Sequence, residues 1–233
     1  MSDKHISSQF DVELNSISTQ VLEMGGLVEA QLHQAVYALI HLSLEAADQV
    51  LENEVRINQM EVQIDHEIIS TIGRRQPTAR DLRFLMAISR TTQNLERAGD
   101  EVARMARMAK SIIEGGSPRS LPSHELRVAA DLAAALLRKT LDSFARLDTS
   151  MAVSIIRDDD EIDQEYNGFL RKLITYMMED PRTISTSLDL LFLAKSIERV
   201  GDHAKNIAEQ IIFVVKGEDV RHTSKDKVAS VIR

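Results

Sequence analysis

The feature that most constrains this chain is an internal repeat. Leu95-Glu96-Arg97-Ala98-Gly99-Asp100 lies over Ile197-Glu198-Arg199-Val200-Gly201-Asp202 at an offset of 102 residues. At the same offset Arg80 falls on Arg182, Ala106 on Ala208 and Gly115 on Gly217. Earlier in the chain Ser43 matches Asp148 at an offset of 105, so one half carries a three-residue difference near its second turn. A period of roughly 100 residues is that of a duplicated domain, well beyond the 20–50 residues of a solenoid repeat.

Each copy reads as three helices. Val21, Met24, Val28, Leu32, Ala35, Leu39 and Leu42 recur at steps of three and four, predicting a helix from about Gln9 to Leu42. Gly25-Gly26 inside it predicts a bend or a close helix crossing. Ser43 is placed to cap a second helix, Leu44 to about Gly73, with Val50, Ile57, Met60, Ile64, Ile68 and Ile72 on its apolar stripe. Pro77-Thr78 ends that run. Thr78 with Asp81 resembles an acidic capping box opening a third helix, which stops at Gly115-Gly116. Two prolines between Ser117 and Ser123 prevent a continuous helix and mark a linker. The pattern then restarts: about His124 to Leu147, a second helix capped by Asp148 and running to Glu179, and a third opened by Pro181 and stopped at Gly217.

The expected fold is therefore all-α, with six helices in two tandem, internally duplicated three-helix bundles. The expected boundaries are a first unit at 1–116, a linker at 117–123, a second unit at 124–217 and a polar, frayed tail at 218–233. Composition agrees. Aromatic residues are 4% of the chain, Trp is absent, and nine Gly with four Pro are too few for an all-β fold of many tight turns.

Composition also excludes chemistry. With no cysteine, the chain has no disulfide, thiolate zinc site or cysteine nucleophile. It carries no P-loop, dinucleotide-binding glycine fingerprint or nucleophile elbow, so it is not expected to be an enzyme. Residues 1–10 are polar, and the longest nearly apolar stretch, Ala129 to Leu137, contains Asp131 and falls well short of the roughly 20 residues of a membrane span. These readings predict a cytoplasmic protein with no direct membrane insertion. A net charge of −8 disfavours nucleic acid as a partner.

The repeated segment is physically costly. Glu96 and Asp100, and again Glu198 and Asp202, stand at i and i+4 on one helix face, where like charges repel. Gly99 and Gly201 each cost about 1 kcal/mol relative to Ala in mid-helix. A hard cation would turn the carboxylate repulsion into attraction, and the glycine would let a neighbouring backbone approach. A solvated acidic face offset by Arg97, Arg104, Arg199 and Lys205 is the plainer alternative. Asp65 and Asp163 on the second helices, with Asn206 beyond the second motif, are further candidate ligands. The acidic run Asp158-Asp159-Asp160-Glu161 reads as solvated surface. Arg104 stands where the second motif has Asn206, predicting competition with metal at the first pair and tighter binding at the second. A ferritin-like di-iron carboxylate enzyme is disfavoured, because no His follows a Glu at three residues.

The segments Leu-Glu-Arg-Ala-Gly-Asp-Glu-Val-Ala-Arg from Leu95 and Ile-Glu-Arg-Val-Gly-Asp-His-Ala-Lys-Asn-Ile-Ala-Glu from Ile197 resemble the paired motifs of the PhoU family. The resemblance runs from about Phe10 to Gly217. It implies two three-helix bundles, a cytoplasmic and often homodimeric protein, and in some members metal clusters on the bundle surfaces. At Glu96, Asp100, Glu198 and Asp202 the metal would be a divalent or trivalent ion, with Fe, Mn, Mg and Zn not distinguished. The resemblance further implies regulation of phosphate uptake and negative regulation of the phosphate-starvation response. The implied partners are the nucleotide-binding subunit of the phosphate ABC transporter and a sensor histidine kinase. A metal-binding helical adaptor without a phosphate role is the alternative.

Overall fold

In the computed structural model, which describes residues 8–116 and 123–231, the apolar stripes become helices with small changes of boundary. The first unit consists of α1 (Ser8–His41), α2 (Leu44–Arg75) and α3 (Ala79–Glu114). The second consists of α4 (Ser123–Arg146), α5 (Thr149–Glu179) and α6 (Ile184–Lys216). A seventh helix, α7 (Lys225–Val231), stands in place of the expected frayed tail. The sequence hides it because its apolar residues are few among polar ones: Val228 is 2% exposed, and Ala229 and Val231 pack against the core partly buried. The described residues contain no strand. The expected linker lies outside the described residues except for Ser123, which opens α4.

The duplication extends to backbone detail. Leu42 and Leu147 both take left-handed φ values, 51° and 50°. The next residue in each unit donates its N–H back to the helix before it, Ser43 to Ala38 O at 2.9 Å and Asp148 to Ser143 O at 3.0 Å. This is the Schellman closure of a helix C-terminus. Ser43 and Asp148 then cap the next helix, accepting from the N–H of Ala46 and Met151. The change of offset from 105 to 102 falls at the following turn. There the first unit inserts Gln76-Pro77-Thr78, whereas in the second Asp180 leads directly into a 3₁₀ turn, Pro181–Thr183. The expected capping box is replaced: Thr78 Oγ1 donates to Asp81 Oδ2 at 2.9 Å, and Thr78 makes no side-chain cap to the backbone.

The stripe residues Val21, Met24, Val28, Leu32, Ala35 and Leu39 are at most 1% exposed. They belong to a core that continues through both units. α3 and α6, the two motif helices, pack along each other more extensively than along any other helix, and α1 crosses α4. Gly25 marks that second crossing: a Cβ there would come within 2.3 Å of Leu141 Cδ2.

Candidate functional site

The two motifs sit where α3 and α6 run antiparallel, in a register fixed by side-chain links. Ser111 donates to Asp189, Arg90 to Gln210, and Asn206 to Asn94. Near the centre Glu101, 6% exposed, accepts from Ser196 Oγ at 2.8 Å and from Arg199 at 2.9 Å, with Arg104 at 3.4 Å. Outside these links opens a cleft of about 510 Å³, lined by Arg97, Asp100, Arg104, Asp202, His203 and Asn206 among others. The His203 ring turns into α3, with Nδ1 3.1 Å from Asn94 Oδ1. Burial, assisted by Arg97, pushes its basicity below the ordinary imidazole value.

The motif glycines admit a side chain rather than the expected neighbouring backbone. Ile57 of α2 lies 3.2 Å from the position a Cβ would take on Gly99, and Ile162 of α5 lies 2.7 Å from that position on Gly201. These isoleucines match at an offset of 105, so α2 and α5 lie over the motif helices in the same way. They bring acids that the motif pattern does not include. Glu61 of α2 stands beside the first pair, and Asp159 of α5 beside the second. Glu54 and Asp159 match at an offset of 105, and that repeat signal points to both.

In the first unit Glu96 is half-buried and Asp100 exposed. Burial first, then Asp100 and Glu61, holds the Glu96 carboxyl above the ordinary carboxylate range. Glu61 is raised by burial, then by Asp65 and Asp100. Asp65 itself accepts from Ser89 Oγ at 3.0 Å. In the second unit burial likewise raises Glu198, but Lys195 opposes it from 2.6 Å. Asp163 adds repulsion there. Asp159, 2% exposed, is raised by burial against Lys205, whose Nζ lies 2.8 Å from Asp159 and 3.5 Å from Asp202.

Among the described residues no three His, Asp or Glu side chains are gathered as a ready-made metal shell. The first set nevertheless suits a hard cation in donor type and charge, with water completing a six-ligand shell. In the second set Lys195 contacts Glu198 Oε1 and Lys205 contacts Asp159 and Asp202, while Glu198 Oε2 is buried with no hydrogen-bond partner. Arg104 lies 3.4 Å from Glu101 in the cleft that Asp100 also lines, and Asn206 donates its amide to Asn94.

Fold and site together define a class: a duplicated all-helical protein with paired carboxylates on its two central helices and no nucleophile–base constellation in its motifs. The PhoU domain model matches residues 21–109 and again 126–211. A Burkholderia protein named as a phosphate-specific transport system accessory protein PhoU homolog is 49% identical over 230 residues, covering 98% of both chains. The crystal structure of PhoU from Pseudomonas aeruginosa superposes with a TM-score of 0.85 at 44% identity, over 90% of this chain and 100% of that one. That of the phosphate transport system regulatory protein PhoU from Streptococcus pneumoniae superposes at 0.83 with 28% identity, over 91% of this chain and 99% of that one. The chain belongs to the PhoU family, and like the accessory and regulatory proteins of that family it is not an enzyme.

Proposed function

We propose that this protein is a cytoplasmic regulator of phosphate uptake and a negative regulator of the phosphate-starvation response. It acts as a homodimer, by contact with the nucleotide-binding subunit of the phosphate ABC transporter and with a sensor histidine kinase. The observation that carries the reading is its near full-length similarity to accessory proteins of phosphate-specific transport. Among the described residues no helix is long and apolar enough to cross a membrane, so a membrane partner must bring it there. The surface suits protein contacts. Leu82 and Met86 on α3, and Ile184, Leu188 and Phe192 on α6, are exposed at helical steps of four, the pattern by which a helix face meets a partner. The same reading places a hard cation at Glu96 and Asp100, with Glu61 beside them.

The test is deletion and complementation. Loss of the protein should leave phosphate-responsive genes expressed when phosphate is abundant, and the intact chain should restore repression. A variant carrying Leu188→Asp and Phe192→Asp should fold, fail to restore repression and no longer capture the transporter subunit or the kinase. Unchanged gene expression on deletion would sink the regulatory reading and leave the adaptor without a phosphate role. For the cation, Glu96→Gln with Asp100→Asn should abolish Mn²⁺ binding in calorimetry.

A further inference from the structure

Each motif carries an arginine three residues before its aspartate, Arg97 before Asp100 and Arg199 before Asp202. Because α3 and α6 run antiparallel in contact, both Arg-x-x-Asp pairs reach one cleft of about 510 Å³ at the seam between the units. Arg104 joins them from α3, and His203 and Asn206 from α6. Among the described residues these three guanidinium groups meet one carboxylate at ion-pair distance. Arg199 and Arg104 share buried Glu101, at 2.9 and 3.4 Å, and each keeps further N–H donors for a ligand. Arg97 is exposed and acts through space on Glu61, Glu96 and His203, and among the described residues no hydrogen bond or ion pair fixes it. Asp202 lies 3.5 Å from Lys205, whose charge offsets its own. His203 Nδ1 and the Asn206 amide both meet Asn94 Oδ1, at 3.1 and 3.2 Å. That oxygen accepts, so the ring donates from Nδ1, and burial favours the neutral ring, whose Nε2 is an acceptor.

Guanidinium groups held in place suit an oxyanion, which they bind with paired N–H donors. Carboxylates on the same cleft choose among oxyanions. They repel one that carries no proton and accept a hydrogen bond from one that does. Hydrogen phosphate and sulfate share their shape and, above neutral pH, their charge, but only hydrogen phosphate keeps an O–H to donate. A site built to hydrogen-bond a ligand hydroxyl rejects the analogue that lacks it. We infer that the seam between the motif helices is a binding site for one inorganic phosphate ion, held by Arg97, Arg104 and Arg199 and selected against sulfate by Asp100 and Asp202. Glu101 is the base of the site, keeping Arg104 and Arg199 in position from below. The ligand bridges α3 and α6, so its binding stabilises the packing of one unit on the other. The inference adds a ligand to the regulatory reading without depending on it, and it needs no cation at Glu96.

The test is calorimetry on the full-length chain at about pH 8, with a chelator present to exclude metal–phosphate pairs. At that pH a phosphomonoester, whose second proton leaves at about pH 6, is a bare dianion like sulfate. One inorganic phosphate should bind per chain, and sulfate and methyl phosphate should bind at least about tenfold more weakly. Arg97→Gln, an exposed change whose fold circular dichroism confirms, should weaken phosphate by at least about tenfold. Asp100→Asn with Asp202→Asn should raise sulfate affinity and collapse the preference, because a carboxamide no longer repels a bare oxyanion. This pair leaves Lys205 its closer partner, Asp159, so the fold is retained. No phosphate bound by the folded wild type at millimolar concentration, or unchanged affinity in Arg97→Gln, would overturn the inference. Equal binding of phosphate and sulfate would do the same by marking an unselective anion patch. So would methyl phosphate bound as tightly as phosphate, or a preference undiminished in the aspartate variant. Every one of these outcomes leaves the regulatory reading to be decided by deletion and complementation.

Discussion

Gly25 and Gly26 are neighbours in α1 with opposite surroundings. A Cβ on Gly25 meets the whole branched end of Leu141, with Cγ at 3.1 Å and both Cδ atoms closer, whereas a Cβ on Gly26 meets nothing within 4 Å. Leu141 is 8% exposed at the α1–α4 crossing and has little room to move. Gly26→Ala should therefore raise stability by about 0.5–1 kcal/mol through helix propensity. Gly25→Ala makes the same gain but overpacks the crossing at a cost of about 1–3 kcal/mol, a net loss. Denaturant midpoints of the two variants decide it, and equal shifts would refute the close crossing. At this scale the sequence is half legible. The costly glycine and carboxylate pair marks the motif, because both violate helix preferences on the same helix. Glu61 and the contact of Lys195 with Glu198 are hidden in it, because they reach the motifs through helix packing and through spacings that the repeat does not contain. Periodicity likewise gives the face of Arg104 but not the buried Glu101 it pairs with.

Among the elements, the stripes and breakers place six helix cores to within a few residues, and the twin turns at Leu42 and Leu147 account for the constancy of the 105 offset across them. The acidic run in α5 is more than the solvated surface its composition suggests. Asp158 binds Lys139 of α4, Asp159 binds Lys205 of α6, and Asp160 binds Lys225 of α7, so three consecutive aspartates fasten three different helices to α5. Composition reports such a run only as charge. The third of these links bears on α7, which at seven residues is far too short to persist alone. Its ion pair to Asp160 is partly exposed and is worth at most about 1 kcal/mol. Burial of Val228 stabilises the helix more, by about 1.5–3 kcal/mol for a fully buried side chain of this kind. Val228→Asp should release α7 and raise amide hydrogen exchange across residues 225–231, leaving the core of α5 protected. Asp160→Asn should change exchange there much less. If the ion-pair variant loosened α7 as far as the valine variant, apolar burial would not be what holds this helix down.

At the scale of the molecule, duplication alone suggests two bundles that fold apart, but the interface between motif helices argues otherwise. Each unit leaves one long face of its motif helix to be covered by the other. Along that face the links from Ser111–Asp189 at one end to Arg90–Gln210 at the other all join one unit to its copy. Arg90 also lies over the Phe213 ring, 5.7 Å from its centroid. Glu101 is the central member. Its carboxylate belongs to α3, its nearest donors Ser196 and Arg199 belong to α6, and none of the three can be satisfied the same way within one unit. Removing it with Glu101→Ala leaves a buried hydroxyl and two half-exposed guanidinium groups without their acceptor. Hydrogen bonds to a charged group contribute about 1.5–3 kcal/mol, discounted here because both arginines remain partly solvated. The intact chain should unfold in one cooperative transition, and Glu101→Ala should move that single transition to lower denaturant by about 1–2 kcal/mol. Helical signal from both units and fluorescence from a probe on either one should shift together. Two separated transitions, or a shift reported from the first unit alone, would mean that the copies fold as independent bundles and that the α3–α6 seam is contact without coupling.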